Sequence, residues 1–392
     1  MTGESSKSAP QRSIIRATSV LNSKTKKKRH DNDQDLSPDI RLSFNLWGRK
    51  GEGESVNQED SELMALEDPY FLPGINRADI TIGVELEMVL VNTWGIDAFK
   101  LVRNSLRDLA DNLDSSVPPL GEFMRKKSNM PTGDPFSVFQ VKTDPTISCD
   151  YWEIREIPTT PVEIATPILR NRSWKWVIPD MCHAITSLAA PNLGVQASFN
   201  SSTGLHVHIG IGRPYTLAEL KRISKAIILF ETQMDRYHPK CRVPEEDLGS
   251  CFRSCRSSLA LRGLTNSEMV DAIDRCGKTE DLLCTINGLG RDRSYQRFYR
   301  YNFLPVQTYG TIEFRQAMGT KDPQWIGNWI TVVIRFVTRA VKTPDKTYAF
   351  LAKFDEIPPE IYRSFGVPSP VGYGREKAPR RNVQREQEKS KG

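Results

Sequence analysis

The sequence has no long apolar run, no regular cysteine framework and no large excess of charge of either sign. Its most apolar stretch, WIGNWITVVIRFV at 325–337, is shorter than the roughly 20 residues of a membrane-spanning helix and is interrupted by Arg335. The N-terminus lacks the apolar core of a secretory signal. These absences argue against a membrane protein and against a secreted one.

The seven cysteines are an odd number without a repeating spacing, which favours a reduced, intracellular compartment. Cys251 and Cys255 have the spacing of one helical turn, and no second pair completes the four ligands of a structural zinc site. The chain also lacks a Walker A loop, a GxSxG elbow and an HExxH helix. Three common routes to phosphate, ester and zinc chemistry are therefore excluded.

The net charge of +6 resides mostly in the tails. Residues 1–65 contain 11 basic and 10 acidic residues, and residues 373–392 contain 7 basic and 3 acidic ones, so the middle is left with about +1. Nucleic-acid binding is therefore expected only weakly, through the tails. The run SKTKKKRH at 23–30 is typical of a nuclear signal or of a solvated lysine run, so we expect a cytoplasmic or nuclear protein, with weaker support for mitochondrial import.

The chain divides by composition into four parts. Residues 1–65 and 374–392 are polar and are predicted to be disordered. Residues 70–345 carry the apolar periodicity of one folded domain, and 346–373 form a C-terminal extension. Strands are predicted in 78–92, 136–144, 146–156, 161–169 and 195–212 and in the segment after Arg300, and helices in 96–113, after Pro179, in 215–238 and in 322–342. Thr216 and Glu219, three residues apart, predict a capping box at the start of the helix in 215–238. This order predicts an α+β fold with an antiparallel sheet covered by helices on one face.

Three predicted strands share one pattern, in which two chemically capable residues stand at i and i+2 among apolar neighbours. The pairs are Glu85 and Glu87 in GVELEM, His206 and His208 in GLHVHI, and Glu313 and Arg315 in TIEFRQ. Side chains two apart on a strand share a face, and Glu163 and Asp144 add carboxylates on neighbouring strands. Each pair alone fits a solvated face, a packed core or an ordinary ion pair, but the repetition on three strands favours a site.

Carboxylates with one or two imidazoles suit Mg²⁺ or Mn²⁺ beside a phosphate better than structural zinc. An arginine two residues from a glutamate ligand is placed where it could meet phosphate oxygens in fork geometry. The arginines of 241–300 fit either an acidic ligand or a solvated helical face.

The pairs belong to a longer series of ordered motifs: GVELE, VEIATPIL, STGLHVHIG before a long helix ending FETQMDRYHP, RYNFL, and TIEFRQAMGTKDPQWIGNWI. Together these motifs resemble the fungal-type amidoligase family, which belongs to the carboxylate–amine ligase superfamily with glutamine synthetase and glutamate–cysteine ligase. The resemblance covers about residues 75–342 and neither tail.

The resemblance implies a curved antiparallel sheet like the catalytic half-barrel of glutamine synthetase, with helices on its outer face. It implies an ATP- and Mg²⁺-dependent (or Mn²⁺-dependent) ligase that joins a small-molecule or peptide carboxylate to an amine through an acyl phosphate. The roles it implies are metal binding by Glu85, Glu87, His206, His208 and Glu313, charge stabilisation by Arg315, and nucleotide or substrate positioning by Asp144 and Asn302. For Glu163 it implies either a further metal ligand or orientation of the incoming amine.

Three alternatives stay open from the sequence. One is a non-catalytic interaction protein on the same fold, and another is a zinc-dependent hydrolase that uses the HxH pair. The third is a nuclear nucleic-acid binder that acts through its tails. The identities of the substrates, the number of metal ions and the oligomeric state are not specified by any motif.

Overall fold

Alternating apolar and polar residues in TIGVELEMVLVN form the central strand, β1 (Thr81–Asn92). Its apolar positions Ile82, Val84 and Leu86 are buried, because every second side chain of a strand points to the same face. This arrangement is seen in a computed structural model of the chain, which describes residues 79–92, 97, 100–106, 139–150, 157–170, 172–188, 194–243, 252–288, 296–358, 361–362 and 365.

The described strands form one open, seven-stranded antiparallel sheet in the order β2-β3-β1-β5-β7-β6, with β4 also paired to β1. The other strands are β2 (Gln140–Lys142), β3 (Thr159–Ala165), β4 (Val195–Ser198), β5 (Gly204–Gly210), β6 (Tyr301–Asn302) and β7 (Thr311–Met318). The predicted antiparallel α+β class is confirmed.

Strands β4 and β5 follow each other along one edge of β1. Strand β5 pairs with residues 81–86 and β4 with residues 89–92, while β3 occupies the opposite edge. The turn 199–203 between them is held by the Asn200 side chain, which accepts hydrogen bonds from the backbone N–H groups of Ser202 and Thr203. The turn therefore stands beside the middle of β1, next to Glu87.

The described residues also form seven α-helices with defined ends. They are α1 (Trp174–Ser187), α2 (Leu217–Met234), α3 (Asn266–Asp274), α4 (Thr279–Asn287), α5 (Pro305–Thr308), α6 (Pro323–Lys342) and α7 (Asp345–Leu351). Residues 100–106 are helical as well. The predicted capping box of α2 is confirmed, since the Thr216 and Glu219 side chains each accept from the other's backbone N–H.

Helix α6 covers the apolar face of the sheet. Phe314 of β7 makes edge-on ring contacts with Trp329 and Phe336 of α6, at centroid separations of 6.5 and 6.3 Å. Phe336 in turn contacts Phe230 of α2. Burying each such ring contributes about 1.5–3 kcal/mol, so this layer fixes which face of β7 is left for Glu313 and Arg315.

Two predicted elements were wrong. Helix α1 does not begin after Pro179 but at Trp174, and Pro179 lies inside it. The helix therefore tolerates the loss of the one backbone hydrogen bond that proline removes. The described part of TISCDYWEIRE, residues 146–150, contains a turn rather than a strand, because Asp144 accepts from the backbone N–H of Thr146 and closes the chain locally.

Some expectations lie outside the described residues: both tails, the end of the 96–113 helix, Cys251 and much of 346–373. The described part of the extension includes Tyr362 and Phe365, whose rings contact Phe230 of α2. Among the helices that the structure describes, none combines the length and apolarity that crossing a membrane requires.

Candidate active site

The strand register sets ionisable residues side by side in rows on the face of the sheet opposite Phe314. In the first row, Glu87 of β1 pairs with Glu163 of β3, which pairs with Lys142 of β2. In the next row Glu85 stands opposite His206. The third row contains Gly83, His208, Glu313 and Asn302.

All nine residues that the sequence singled out line one cavity of about 700 Å³. They are Glu85, Glu87, Asp144, Glu163, His206, His208, Asn302, Glu313 and Arg315. They come from five strands and one loop, so only the pairing of the strands brings them together. The sequence argument from repeated pairs thus selected residues that share one cavity, while their individual roles stay predictions.

His206 lies between carboxylates on both of its ring nitrogens. Its Nδ1 is 3.2 Å from Glu85 Oε2 and 3.5 Å from Glu313 Oε1, and its Nε2 is 3.6 Å from Glu87 Oε1. Nε2 is buried and has no hydrogen-bond partner among the described residues. An imidazole nitrogen and a carboxylate oxygen that face each other in this way are suited to share a cation.

His208 also lies on β5 between β1 and β7, and 15% of its side chain is exposed, against 2% for His206. Its Nε2 is 3.5 Å from Glu85 Oε1 and 3.8 Å from Glu313 Oε1, without a hydrogen bond to any described residue. Its Nδ1 faces Thr311 Oγ1 at 3.3 Å. Thr311 therefore orients the ring so that Nε2 points to the two carboxylates.

Two sets of ligand atoms have the composition of a cation site, each with all its atoms within 4.8 Å of one another. The histidine group consists of Glu85, His208 and Glu313, and the carboxylate group consists of Glu87, Asp144 and Glu163. The donor sets, two carboxylates with one imidazole and three carboxylates, fit Mg²⁺ or Mn²⁺. The Nε2 atoms of His206 and His208, which have no hydrogen-bond partner among the described residues, support this fit.

Glu313 is held from two sides. The Arg315 guanidinium donates to Glu313 Oε1 at 2.5 Å, and the Asn302 amide donates to Oε2 at 2.7 Å. Arg315 Nε is buried and makes no hydrogen bond to a described residue. Asn302 therefore acts on the glutamate, and Arg315 retains a donor for a ligand.

Glu87 and Glu163 have different partners. Glu87 Oε2 accepts from the backbone N–H of Gly204 at 2.5 Å, which ties it to the start of β5. Glu163 Oε1 forms an ion pair with Lys142 Nζ at 2.6 Å. Asp144 accepts from the backbone N–H and the hydroxyl of Thr146, both at 2.7 Å.

Burial and neighbouring charges shift the pKa values of the ionisable groups in the cavity, some upward and some downward. Burial raises the pKa of Glu85, but the close contacts with His206 and His208 and the charges of these two residues outweigh burial and hold that pKa well below its usual value. Burial and the Glu85 charge raise the pKa of Glu163, against the effect of Lys142. Burial lowers the pKa of His208, but Glu313 and Glu85 reverse this and raise it.

Sequence reasoning missed several residues that line or support the cavity. Lys142 stands two residues before Asp144, and this i, i+2 spacing was the signal that could have identified it. Phe252 and Phe298 also line the cavity, and no local pattern marks them.

Arg242 supports the site by binding the backbone of β7. It is fully buried, and it donates to the carbonyl oxygens of Arg315, Gln316 and Ala317 at 2.9–3.0 Å. These carbonyls lie at the irregularity where two residues of β7 oppose the single residue His206 of β5. Arg242 therefore holds the bulge that places Arg315 on the polar face.

The other arginines of 241–300 have mixed surroundings. Arg297 lines the cavity, whereas Arg256 donates to the Ile228 carbonyl and Arg300 pairs with Asp235. Arg291 and Arg293 lie outside the described residues. Of the described arginines of this region, Arg297 alone lines the cavity, while Arg256 and Arg300 bind groups of α2 and of the turn that follows it.

The sequence profile of a family described as "Putative amidoligase enzyme" matches residues 78–337, about two thirds of the chain. The chain therefore belongs to this family, and its description indicates an enzyme that forms amide bonds. No curated protein sequence matches the chain. All nine candidate site residues fall within the matched segment.

Proposed function

We propose that this member of the amidoligase family is an ATP- and Mg²⁺-dependent carboxylate–amine ligase of the glutamine-synthetase type, which forms an amide through an acyl phosphate. The observation that carries the proposal is that the histidine group, the carboxylate group and Arg315 line one cavity. Phosphoryl transfer depends on positioning and charge neutralisation more than on covalent help from the protein. The cavity offers both.

The histidine group, together with Glu87 and Asp144 of the carboxylate group, would hold Mg²⁺ or Mn²⁺. When bound, the metal would neutralise phosphate charge and polarise phosphoryl oxygens. His206, between the two groups, would orient their carboxylates. Gly204 and Asn302 fix Glu87 and Glu313 by hydrogen bonds, so the ligands are held in place before a metal binds.

In the first step, an oxygen of the substrate carboxylate attacks the γ-phosphorus of ATP. The bond from that phosphorus to the bridging oxygen of ADP breaks, giving an acyl phosphate and ADP. Arg315 stabilises the charge on the transferring oxygens, because its Nε has no partner in the described structure and its other side is fixed by Glu313.

In the second step, the amine nitrogen attacks the acyl carbon, and phosphate leaves with the bonding electron pair. The proton that the nitrogen loses passes to Glu163. Burial and the charge of Glu85 raise the pKa of Glu163, which makes it a better proton acceptor than an ordinary exposed glutamate. Its ion pair with Lys142 keeps the carboxylate oriented.

The direct test is release of ADP by the purified full chain with Mg²⁺-ATP and a panel of carboxylates and amines. We expect ADP release that needs both substrates, with formation of one amide per ADP. If no pair stimulates ADP release and calorimetry detects no binding of Mg²⁺-ATP, the ligase proposal is wrong and a non-catalytic interaction protein remains.

The HxH pair makes a zinc hydrolase the second candidate, since the histidine group also suits Zn²⁺. Metal analysis of the purified chain separates the two. One tightly held zinc per chain, with amide hydrolysis that does not require ATP, would support the hydrolase.

A further inference from the structure

A second cavity of about 570 Å³ adjoins the candidate active site. The two cavities share Glu85, His208 and Tyr309 and no other described residue. A ligand in the second cavity would therefore meet the histidine group at this boundary. Its volume lies within the range of small-molecule binding sites.

The second cavity differs from the first in its chemistry. The first contains five carboxylates, whereas Glu85 is the single carboxylate among the described residues that line the second. The rest of its wall is mostly apolar or small, with Ile168, Val306 and four glycines. A nucleoside triphosphate would meet two arginines here but a single carboxylate to hold its metal ion, while an apolar body would be desolvated.

Two arginines line the second cavity, and one of them is already engaged. Arg213 makes a two-pronged ion pair with Glu219, at 2.7 and 2.9 Å. Arg170 is exposed and forms no ion pair with any residue that the structure describes. The second cavity thus has the negative charge of Glu85 where it adjoins the active site, and the positive charge of Arg170 on the part of its wall that the first cavity does not share.

The space beside Glu85 exists because residue 83 is a glycine. Residues 83 and 85 share a face of β1, and a Cβ built on Gly83 would contact His208 alone, at 3.4 Å. The backbone of Gly83 does not have a positive φ, so a larger residue fits the strand and fills the cavity instead.

We propose that the second cavity binds the amine substrate, and that this substrate is a zwitterionic amino acid or short peptide with an apolar side chain. Its ammonium group faces Glu85, its carboxylate faces Arg170 and its side chain packs along Ile168 and Val306. The binding site stands on the second cavity itself; the role as the attacking amine rests on the proposed ligase function.

The probes are L-leucine, L-leucinamide, 4-methylpentanoate and glycine, titrated calorimetrically into the full chain. Leucine has both charges and the apolar body, and each other probe lacks one of these features. We expect leucine to bind most tightly, with leucinamide about three- to tenfold weaker because it has no carboxylate for the exposed Arg170. Glycine should be at least tenfold weaker, since it has no side chain to bury.

Substitutions at positions 170 and 83 locate the site, and one at position 262 is the control. In Arg170→Gln, leucine and leucinamide should bind equally, whereas Arg262→Gln, an exposed arginine outside both cavities, should keep the difference. The loss of leucine binding should grow with size at position 83, from Gly83→Ala to at least tenfold in Gly83→Leu. Far-ultraviolet circular dichroism checks the fold, and Arg170→Gln carries the test if Gly83→Leu does not fold.

Titration of Mg²⁺-ATP separates this proposal from the ligase proposal. Normal Mg²⁺-ATP binding in Gly83→Leu with loss of leucine binding supports the second cavity as the amine site. Weaker Mg²⁺-ATP binding in Arg170→Gln, which leaves His208 untouched, would assign the cavity to the nucleotide and overturn the inference. If Mg²⁺-ATP binds but none of the four probes does, the inference is wrong and the ligase proposal stands. If leucine binds in the expected pattern but Mg²⁺-ATP does not bind at all, the ligase proposal is wrong and the binding site stands.

Discussion

Glu85 Oε2 lies 3.2 Å from Nδ1 of His206, its direct neighbour across the β1–β5 strand pair. The two residues are 121 positions apart in the chain. His206 also faces Glu87 and Glu313. The contact with Glu85 therefore links the three rows of the site through one histidine.

Glu85→Gln should remove a charged ligand of the histidine group and weaken Mn²⁺ binding by about 100-fold or more. The amide keeps the size of the side chain, so the fold should be retained. Calorimetric titration with Mn²⁺ measures the affinity, and Glu280→Gln, an exposed carboxylate on α4, is the matched control. Equal affinities in the two variants would remove Glu85 from the metal site.

Arg315→Ala should lower kcat of the proposed ligase reaction by about 10³-fold, because it removes the donor that meets the transferring phosphoryl group. Arg315→Lys should recover part of the rate through its charge but not its fork geometry. The measurement is substrate-dependent ADP release, with Arg262→Gln as control. A change in KM alone, with kcat intact, would assign Arg315 to binding.

Gly204→Ala should disturb the site without removing any charged residue. A Cβ at this position would lie 2.6 Å from His206 Nε2 and 2.9 Å from Glu87 Oε2, so both side chains must move. We expect roughly tenfold weaker Mn²⁺ binding. Gly277→Ala is the matched control, since its Cβ would meet only Asp281 Oδ2 at 3.7 Å. Similar affinities in both variants would show that the positions of Glu87 and His206 matter little.

Arg242→Met should lower the free energy of unfolding by about 3–5 kcal/mol, because three buried carbonyls lose their donor. Urea denaturation followed by circular dichroism measures this value. Arg262→Gln should change it by less than about 0.5 kcal/mol. A loss below about 1 kcal/mol for Arg242→Met would indicate that the bulge of β7 is held by other contacts.

His238 should make the folded protein sensitive to acid. Burial, together with the positive charges of Arg242 and Arg300, lowers the pKa of His238 to about 3, against about 6.5 in the unfolded chain. As the pH falls, the unfolded chain takes up this proton before the folded chain does. The contribution of neutral His238 to the free energy of unfolding is therefore complete above pH 6.5 and is lost as the pH falls towards 3. The slope is at most about 1.4 kcal/mol per pH unit.

His238→Phe keeps the ring that packs edge-on against Trp329 and removes the titrating group. Urea denaturation at pH 7, 6, 5 and 4 should therefore show a smaller acid-induced loss of stability in this variant than in the unsubstituted chain. Parallel curves for the two proteins would mean that His238 takes up its proton equally in both states.

The sequence indicated the three pairs of site residues at i and i+2 because the periodicity of a strand is a local property. In GVELEM, GLHVHI and TIEFRQ the i, i+2 spacing sets two residues on one face whatever the strand pairs with. The capping residues of α2 were identified for the same reason, since Thr216 and Glu219 are three positions apart and need no tertiary contact. Proline at 179 misled the assignment of α1, where packing of the helix outweighs the local penalty.

The order of the strands was not contained in any such local pattern. That β4 and β5 share one edge of β1, and that Lys142 stands beside Glu163, depends on pairing between segments far apart in the chain. Arg242 has no sequence signal because its partners are backbone carbonyls, which every residue carries.

By itself, the sequence determined which side chains face the same way on each strand, and hence which residues could form a site. The tertiary structure decided which of them meet: His206 between three carboxylates, Glu163 with Lys142, and a second cavity beside Glu85. The physical reason is that side-chain direction follows from local backbone geometry, whereas distances between strands follow from register and from the packing of the helices on the opposite face.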